Sequence, residues 1–331
     1  MALFDSEDEF LSWLKNRLPE PGRKVPVGVG DDAAVLRASR WRDWLVTSDF
    51  SIEGVHFSLR WHPPKAVGHR ALARSLSDIA AMGGKPRFAL MSLAISKRLS
   101  RAWIEEFYDG LLSLAAHYGV AVVGGDTARV RGAAVADVTV LGEQASGQIL
   151  RRSGARPGDL IFVSGRLGLG ELGWRILRRQ QAAMRWKLNP TDRAAALRAH
   201  LYPEPQCALG EFLARNGLAS AAMDISDGLA KDLSRLAQAS QVGALVEEAR
   251  IPAPEFIPRD AAQRLALAGG EDYQLLFTVP PAKARRIPRA FRSATLHRIG
   301  SITGTGKLRL SRQNGKETDL EPLGYDHFRR E

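Results

Sequence analysis

The chain carries one cysteine in 331 residues, Cys207. An internal disulfide is therefore excluded, as is any zinc or iron–sulfur site built from a cysteine cluster. Cys207 stands in Pro205-Gln206-Cys207-Ala208-Leu209, which reads as the opening of an amphipathic helix, a context that favours buried packing over nucleophilic chemistry. No apolar run reaches the roughly 18 residues that a membrane-crossing helix needs. Residues 1–9 carry Asp5, Glu7, Asp8 and Glu9 where a signal peptide would place positive charge and then an apolar segment, so the expected location is the cytoplasm. Also lacking is a Gly-x-x-x-x-Gly-Lys-Ser/Thr phosphate loop. Gly83-Gly84-Lys85-Pro86 cannot replace it, because proline follows the lysine where the loop should enter a helix. A phosphate-binding protein made this way must hold its phosphates through metals and arginines.

What is present describes an ordinary globular protein, with 45% hydrophobic and 25% charged residues. The length exceeds what one compact core usually holds, so two domains are expected. Composition shifts through Gln144-Ala145-Ser146-Gly147 and Ser153-Gly154-Ala155-Arg156-Pro157-Gly158, which places the boundary near residue 148 and the units at 1–148 and 149–331. The net charge of +11 would permit nucleic acid or anionic metabolites as partners. Yet the basic residues are dispersed as short pairs such as Arg151-Arg152, Arg178-Arg179 and Arg285-Arg286, with no interleaved aromatic platform, which disfavours nucleic acid.

Hydrophobic periodicity predicts an α/β chain in which strands and helices alternate through both halves. Helices are expected over residues 7–18, 65–82, 101–118, 191–200 and 205–215, with another starting at Leu229 and one ending at Ala268. Strands are expected over residues 44–49, with Asp49 at the carboxyl end, and over 87–95, 120–123, 133–142, 159–164, 221–225, 244–246 and 274–279. A small second sheet closes through a turn at Asn314-Gly315.

The chemistry-bearing residues are acids. Asp31 and Asp32 follow the turn Val27-Gly28-Val29-Gly30 and precede the apolar run Ala33 to Leu36. Alone, this is also an ordinary turn composition. The pattern recurs, however: Asp49, Asp78, Asp126, Asp224, Asp227 and Glu271 each sit beside Gly, Ser or Thr at the edge of an apolar run. Hard cations such as Mg²⁺ require several carboxylate oxygens converging from separate segments. Plainer readings stand beside this one, with Asp78 in a surface pair with Arg74 one helical turn away and Asp227 as a helix N-cap. Gly168-Leu169-Gly170-Glu171-Leu172-Gly173 follows a strand and precedes a helix, as a dinucleotide-binding turn does. No second strand ending in an acid follows to hold a ribose, which favours a glycine-rich loop or helix start.

Taken in order, Gly28 to Val35, Thr47-Ser48-Asp49, Glu53-Gly54-Val55-His56-Phe57, Ser77 to Gly83 and Gly124-Gly125-Asp126-Thr127 form a recurring set. It continues in Arg152 to Asp159, Asp224-Ile225-Ser226-Asp227-Gly228, Gly269-Gly270-Glu271-Asp272-Tyr273 and Gly324-Tyr325-Asp326-His327-Phe328. This ordered set covers nearly the whole chain and closely resembles the thiamine-monophosphate kinase family, within the aminoimidazole-ribonucleotide-synthetase-like ATP-binding superfamily. The resemblance implies a two-domain fold of that type and transfer of the γ-phosphoryl group of ATP to thiamine monophosphate, with several Mg²⁺ ions; a monovalent-cation requirement is left open. It implies a homodimer pairing its amino-terminal sheets and an active site between the domains. Carried over by motif, Asp32, Thr47, Ser48, Asp49, Asp78, Asp126, Asp224 and Asp227 are expected to ligate metal, directly or through water. Tyr108, Gly125, Asp126, Arg152 and Ser226 are expected to contact ATP, and His56, Glu271 and Tyr325 to hold thiamine monophosphate. Tyr325 would offer an aromatic face to the thiazolium cation, the plainer reading being a buried aromatic near the chain end, and for His56 a satisfied structural histidine. Of the superfamily's other enzymes, two need a terminal cysteine, which the position of Cys207 does not supply. Aminoimidazole ribonucleotide synthetase is the nearest enzymatic alternative, and a basic nucleic-acid-binding protein the alternative of another class.

Overall fold

The computed structural model describes residues 9, 25–27, 31–179 and 186–328. The expected first helix over 7–18 and the glycines of the 28–30 turn lie outside these. Among the described residues, strands β1 (Ala34–Arg37), β2 (Arg42–Ile52), β3 (Lys85–Ser96), β4 (Ala121–Gly124), β5 (Thr127–Val130) and β6 (Val135–Ala145) form one sheet. Its order is β1-β2-β6-β3-β4, with β5 also on β3; all pairs are antiparallel except β3 with β4 and β5.

The second sheet is not small. It has eight strands, β7 (Leu160–Ser164), β8 (Ala221–Ile225), β9 (Gly243–Glu247), β10 (Gln274–Val279), β11 (Ala290–Phe291), β12 (Ala294–Thr303), β13 (Leu308–Ser311) and β14 (Glu317–Asp319). The order is β14-β13-β9-β12-β7-β10-β8, with β11 on β12. Pairing here is antiparallel except for β13 on β9. The Asn314-Gly315 turn joins its two outermost strands, with Gly315 at φ +78°.

Helix α1 (Pro64–Ala81) is the axis of the molecule. Proline at its first turn suits a position whose N–H has no helical partner, and Gly83 at φ +72° turns the chain out of it. Against it packs α2 (Arg101–Tyr118), capped by Ser100, whose hydroxyl accepts the Trp103 N–H at 3.1 Å. Two glycines set this crossing: a Cβ on Gly68 would lie 1.8 Å from the Phe107 carbonyl oxygen, and one on Gly110 1.9 Å from that of Lys65. Further helices are α3 (Leu169–Leu177), α4 (Pro190–Leu201), α5 (Cys207–Arg215), α6 (Leu229–Ala239) and α7 (Arg259–Ala268). One apolar core runs from Leu72, Leu76 and Ile79 of α1 into Leu209 and Leu213 of α5 and Phe277 of β10, so it joins the two sheets. With α1 covered on both sides, its polar residues Arg70, Ser75 and Ser77 are buried, Arg74 and Asp78 are half-buried, and all need partners there.

Candidate active site

Strand alternation decides which residues of β2 reach α1. Thr47 and Asp49 point toward the helix: the Thr47 hydroxyl donates to Asp78 Oδ2 at 2.6 Å, and Asp49 Oδ2 accepts from the Ser75 hydroxyl at 3.1 Å. Asp49 is thus an interior strand residue, paired with Val138 of β6, and does not lie at the carboxyl end of the strand as expected. Ser48 lies between them on the opposite face, where its hydroxyl donates to Asp137 Oδ1 at 2.7 Å. The expected gathering of the Ser48 side chain with Thr47 and Asp49 therefore does not occur, since a period of two sends neighbours to opposite sides.

Asp32, just before β1, Asp78 of α1 and Asp224 of β8 converge, each offering an oxygen within 4.8 Å of the others. Ser77 donates to Asp224 Oδ2 at 2.7 Å. Arg152 holds Asp32 through both oxygens, Nε to Oδ2 at 3.1 Å and Nη2 to Oδ1 at 3.0 Å. The Arg152 N–H reaches Asp31 Oδ1 at 3.3 Å. The electrostatics are those of crowded like charges. Burial, then Asp49, Asp224 and Asp32, raise the Asp78 carboxyl well above its ordinary range, and burial with Asp32 does the same to Asp224. Burial and Asp32 push Asp31 up to about 7. A divalent cation relieves such repulsion with the oxygen donors it prefers, so the donor set fits Mg²⁺. The surface pair of Asp78 with Arg74 is not formed; Arg74 instead approaches Asp49 at 3.8 Å.

A second group lies at the other end of the same helix. Arg70 Nη2 meets Glu271 Oε1 at 2.5 Å and the His56 carbonyl at 3.3 Å. Glu271, at φ +66°, follows Gly269-Gly270, and its N–H donates to the Ser226 carbonyl at 2.7 Å. Burial alone would raise its carboxyl, but Arg70 and the His200 hydrogen bond outweigh that and hold it well below the usual range. His56 Nδ1 accepts the Ile52 N–H at 3.0 Å, while its Nε2 is buried with no partner among the described residues. Burial, then Arg74 and His327, lower its pKa to about 3, so the ring is neutral. The rings of His56 and His327 lie 5.2 Å apart and those of His327 and Tyr325 4.8 Å, which brings Tyr325 into this group. The Tyr325 ring is exposed, and its N–H donates to the Asp227 carbonyl at 3.1 Å.

Other expected residues make different contacts. Asp126 is exposed and accepts the Thr127 N–H at 2.8 Å. Gly125, at φ +150°, sits where only glycine fits, since a Cβ there would fall 1.8 Å from the Met91 carbonyl oxygen. Tyr108 packs edge-on against Phe107 in α2. Asp227 is not the N-cap of α6: Asp232, one turn inside the helix, accepts the N–H groups of Ser226, Asp227 and Gly228 at 3.0–3.1 Å. Asp227 pairs instead with Arg235 at 2.7 Å and Lys231 at 3.3 Å. At α3, Asp272 accepts from both Gly168 N (2.5 Å) and Gly170 N (3.0 Å), so the glycine-rich helix start is filled by a protein carboxylate where a dinucleotide would place its phosphates. Cys207 is buried, its thiol donating to the Leu76 carbonyl at 3.5 Å, and burial pushes its pKa up to about 12.

Sequence reasoning missed Arg70, Ser75, Ser77, His200 and Asp232. A signal existed for one of them: Arg70, Arg74 and Asp78 recur every fourth residue along one line of an otherwise Ala- and Leu-rich helix, which is uneconomical unless that line faces charge.

Comparisons with known proteins agree with this architecture. Residues 30–144 match the model of the AIR synthase related protein, N-terminal domain, and residues 156–313 its C-terminal domain. The thiamine-monophosphate kinase of Bacillus subtilis is 34% identical, covering 92% of this chain and 94% of that protein. That of Synechococcus elongatus is 36% identical over 90% and 91%. A solved structure described as AaThiL complexed with AMPPCP and TMP superposes with a TM-score of 0.82 at 31% identity, covering 97% of each chain. On these grounds the chain belongs to the thiamine-monophosphate kinase family, with the two-domain mixed α/β fold of the AIR synthase related proteins.

Proposed function

We propose that the chain transfers the γ-phosphoryl group of ATP to the phosphate of thiamine monophosphate, giving thiamine diphosphate and ADP. The observation that carries this reading is the convergence of Asp32, Asp78 and Asp224 beside Arg152, with Asp78 on the same helix as Arg70, which pairs with Glu271. A related protein of like fold is described in complex with an ATP analogue and TMP, which supports both substrates.

Asp32, Asp78 and Asp224 would hold Mg²⁺, with Thr47 and Asp49 adjoining; the resemblance adds Ser48, Asp126 and Asp227. Bound there, Mg²⁺ supplies neutralisation of phosphate charge. Arg152, already against Asp32, is placed to meet a phosphate oxygen as well, and Tyr108, Gly125, Asp126 and Ser226 complete the proposed ATP contacts. His56, Glu271 and Tyr325 would hold thiamine monophosphate, the neutral His56 Nε2 being a buried atom that a ligand would satisfy. The acceptor oxygen is already ionised at neutral pH, so the chain needs to align two polyanions and not to remove a proton.

The division between the halves is placed near residue 148, between β6 and β7. A second copy is proposed to cover the face of the first sheet opposite α1, where Phe50, Phe88 and Leu90 are exposed. The cytoplasm is the proposed location; no helix among the described residues is long and apolar enough to cross a membrane.

The test is ADP release by the purified chain with and without thiamine monophosphate and with and without Mg²⁺. Turnover is expected only with both, and ATP hydrolysis indifferent to thiamine monophosphate would refute the reading.

A further inference from the structure

We propose that His62 and His200, both too deeply buried to touch a ligand, are positioning residues that orient the Glu271 carboxylate for the acceptor substrate. This rests on Glu271 binding thiamine monophosphate. His200 has no accessible surface and His62 only 4%, whereas 26% of the Glu271 side chain stays open, and that is where a ligand can reach it.

The hydrogen bonds fix where each imidazole carries its proton. The Ser58 N–H donates to His62 Nδ1 at 3.1 Å, so the proton of His62 sits on Nε2. His62 Nε2 lies 3.0 Å from His200 Nε2, which must then accept. The proton of His200 is therefore on Nδ1, 3.2 Å from Glu271 Oε2. The opposite tautomer of His200 would set two N–H groups face to face. Arg70 Nη1 also stands 3.4 Å from His200 Nδ1, but it donates to the His200 carbonyl. Burial, with Arg70 next, lowers the pKa of both rings, to about 3 for His62, so the relay consists of neutral rings.

The relay runs from the loop after β2, which also carries His56, through α4 to the 269–273 loop. Its effect is to fill one oxygen of Glu271 from His200 while Arg70 fills the other. Each carboxylate oxygen keeps a further lone pair for a ligand, in a direction set by the protein. Glu271 needs such support, because its left-handed backbone is a conformation that side-chain-bearing residues keep only where the surroundings enforce it. Preorganised acceptors of this kind avoid ordering cost on binding.

Two amide substitutions of nearly equal size separate positioning from packing. The nitrogen of an asparagine falls near imidazole Nδ1 and that of a glutamine near Nε2. His200→Asn keeps the donor to Glu271 and is expected to leave KM for thiamine monophosphate within about three-fold of the unsubstituted chain. His200→Gln loses that donor and should raise this KM about ten-fold, with KM for ATP and kcat little changed. His62→Gln and His62→Asn should divide in the opposite sense, glutamine preserving function. Equal effects of the two amides at each position, or effects on kcat or on KM for ATP, would overturn the assignment. Imidazole nitrogen NMR of the unsubstituted chain tests it without any variant: protonated Nε2 is expected for His62 and protonated Nδ1 for His200, and the reverse refutes the relay. Absence of thiamine-monophosphate-dependent ADP release in the unsubstituted chain overturns the functional reading; normal turnover with no amide pattern overturns the positioning role alone.

Discussion

Helix α1 serves two polar regions that handle charge in opposite ways. At Asp78 it enters a group of carboxylates, Asp32, Asp78 and Asp224, in which only Asp32 has an arginine of its own. At Arg70 it enters a group whose opposite charges meet, guanidinium on carboxylate, with neutral imidazoles lined up behind the carboxylate. Burial makes both arrangements costly, and only the second offsets that cost with its own residues. The first is a region that a cation from outside would complete; the second is paired from within. A site that must hold metal–nucleotide beside a cationic, phosphorylated acceptor needs one of each.

The contrast breaks most severely at Asp78. Asp78→Asn is expected to lower ADP release by at least about a thousand-fold while raising the melting temperature of the metal-free chain, because it removes a carboxyl whose ionisation burial and its acidic neighbours disfavour. Calorimetry and a turnover assay read both signs, and a loss of stability would show the carboxylates to be structural. Glu271→Gln should do the reverse to stability, costing about 3 kcal/mol in chemical denaturation without ligand, because Arg70 is left buried and unanswered. A neutral result there would erase the difference between the regions.

A third measurement sharpens it through pH. With Asp31 pushed up to about 7 and Asp78 and Asp224 raised well above their ordinary range, the metal-free cluster binds protons more readily than free carboxyls do, and a cation competes with them. Mg²⁺ affinity should therefore rise with pH, by about ten-fold between pH 6 and 8, with proton release visible as a buffer-dependent heat in titration calorimetry. Affinity flat over that interval would contradict the raised carboxyls. The smallest effect is expected at Cys207, whose buried thiol meets α1 only through the Leu76 backbone carbonyl. Cys207→Ala should cost about 1 kcal/mol by denaturation and leave turnover unchanged.

Several features were legible in the residues themselves. The span of α2 was readable because Ser100 and Gly119 punctuate it, and β10 because Gly269-Gly270 precede a short apolar run. The acids stood out by recurring beside glycine and serine. Other features were hidden for physical reasons. Asp49 read as a strand end because polar Thr47 and Ser48 precede it, yet β6 pairs the strand onward to Ile52. Asp227 read as a cap because a carboxylate before a helix usually is one, whereas Asp232 reaches back to the same N–H groups. The dinucleotide-like glycines are answered by Asp272, 102 and 104 residues away in the chain.

By itself, then, the sequence determined the family, the order of the motifs, the alternation of strands and helices and the lack of a cysteine cluster or a phosphate-loop motif. These follow from local residue types and spacings. Only the tertiary structure decided which acids share a space, which face of β2 each residue takes, and that His62, His200 and Arg70 stand behind Glu271. Those relations join residues up to 201 positions apart, and the burial of α1 between a sheet and its neighbouring helices brings them into contact.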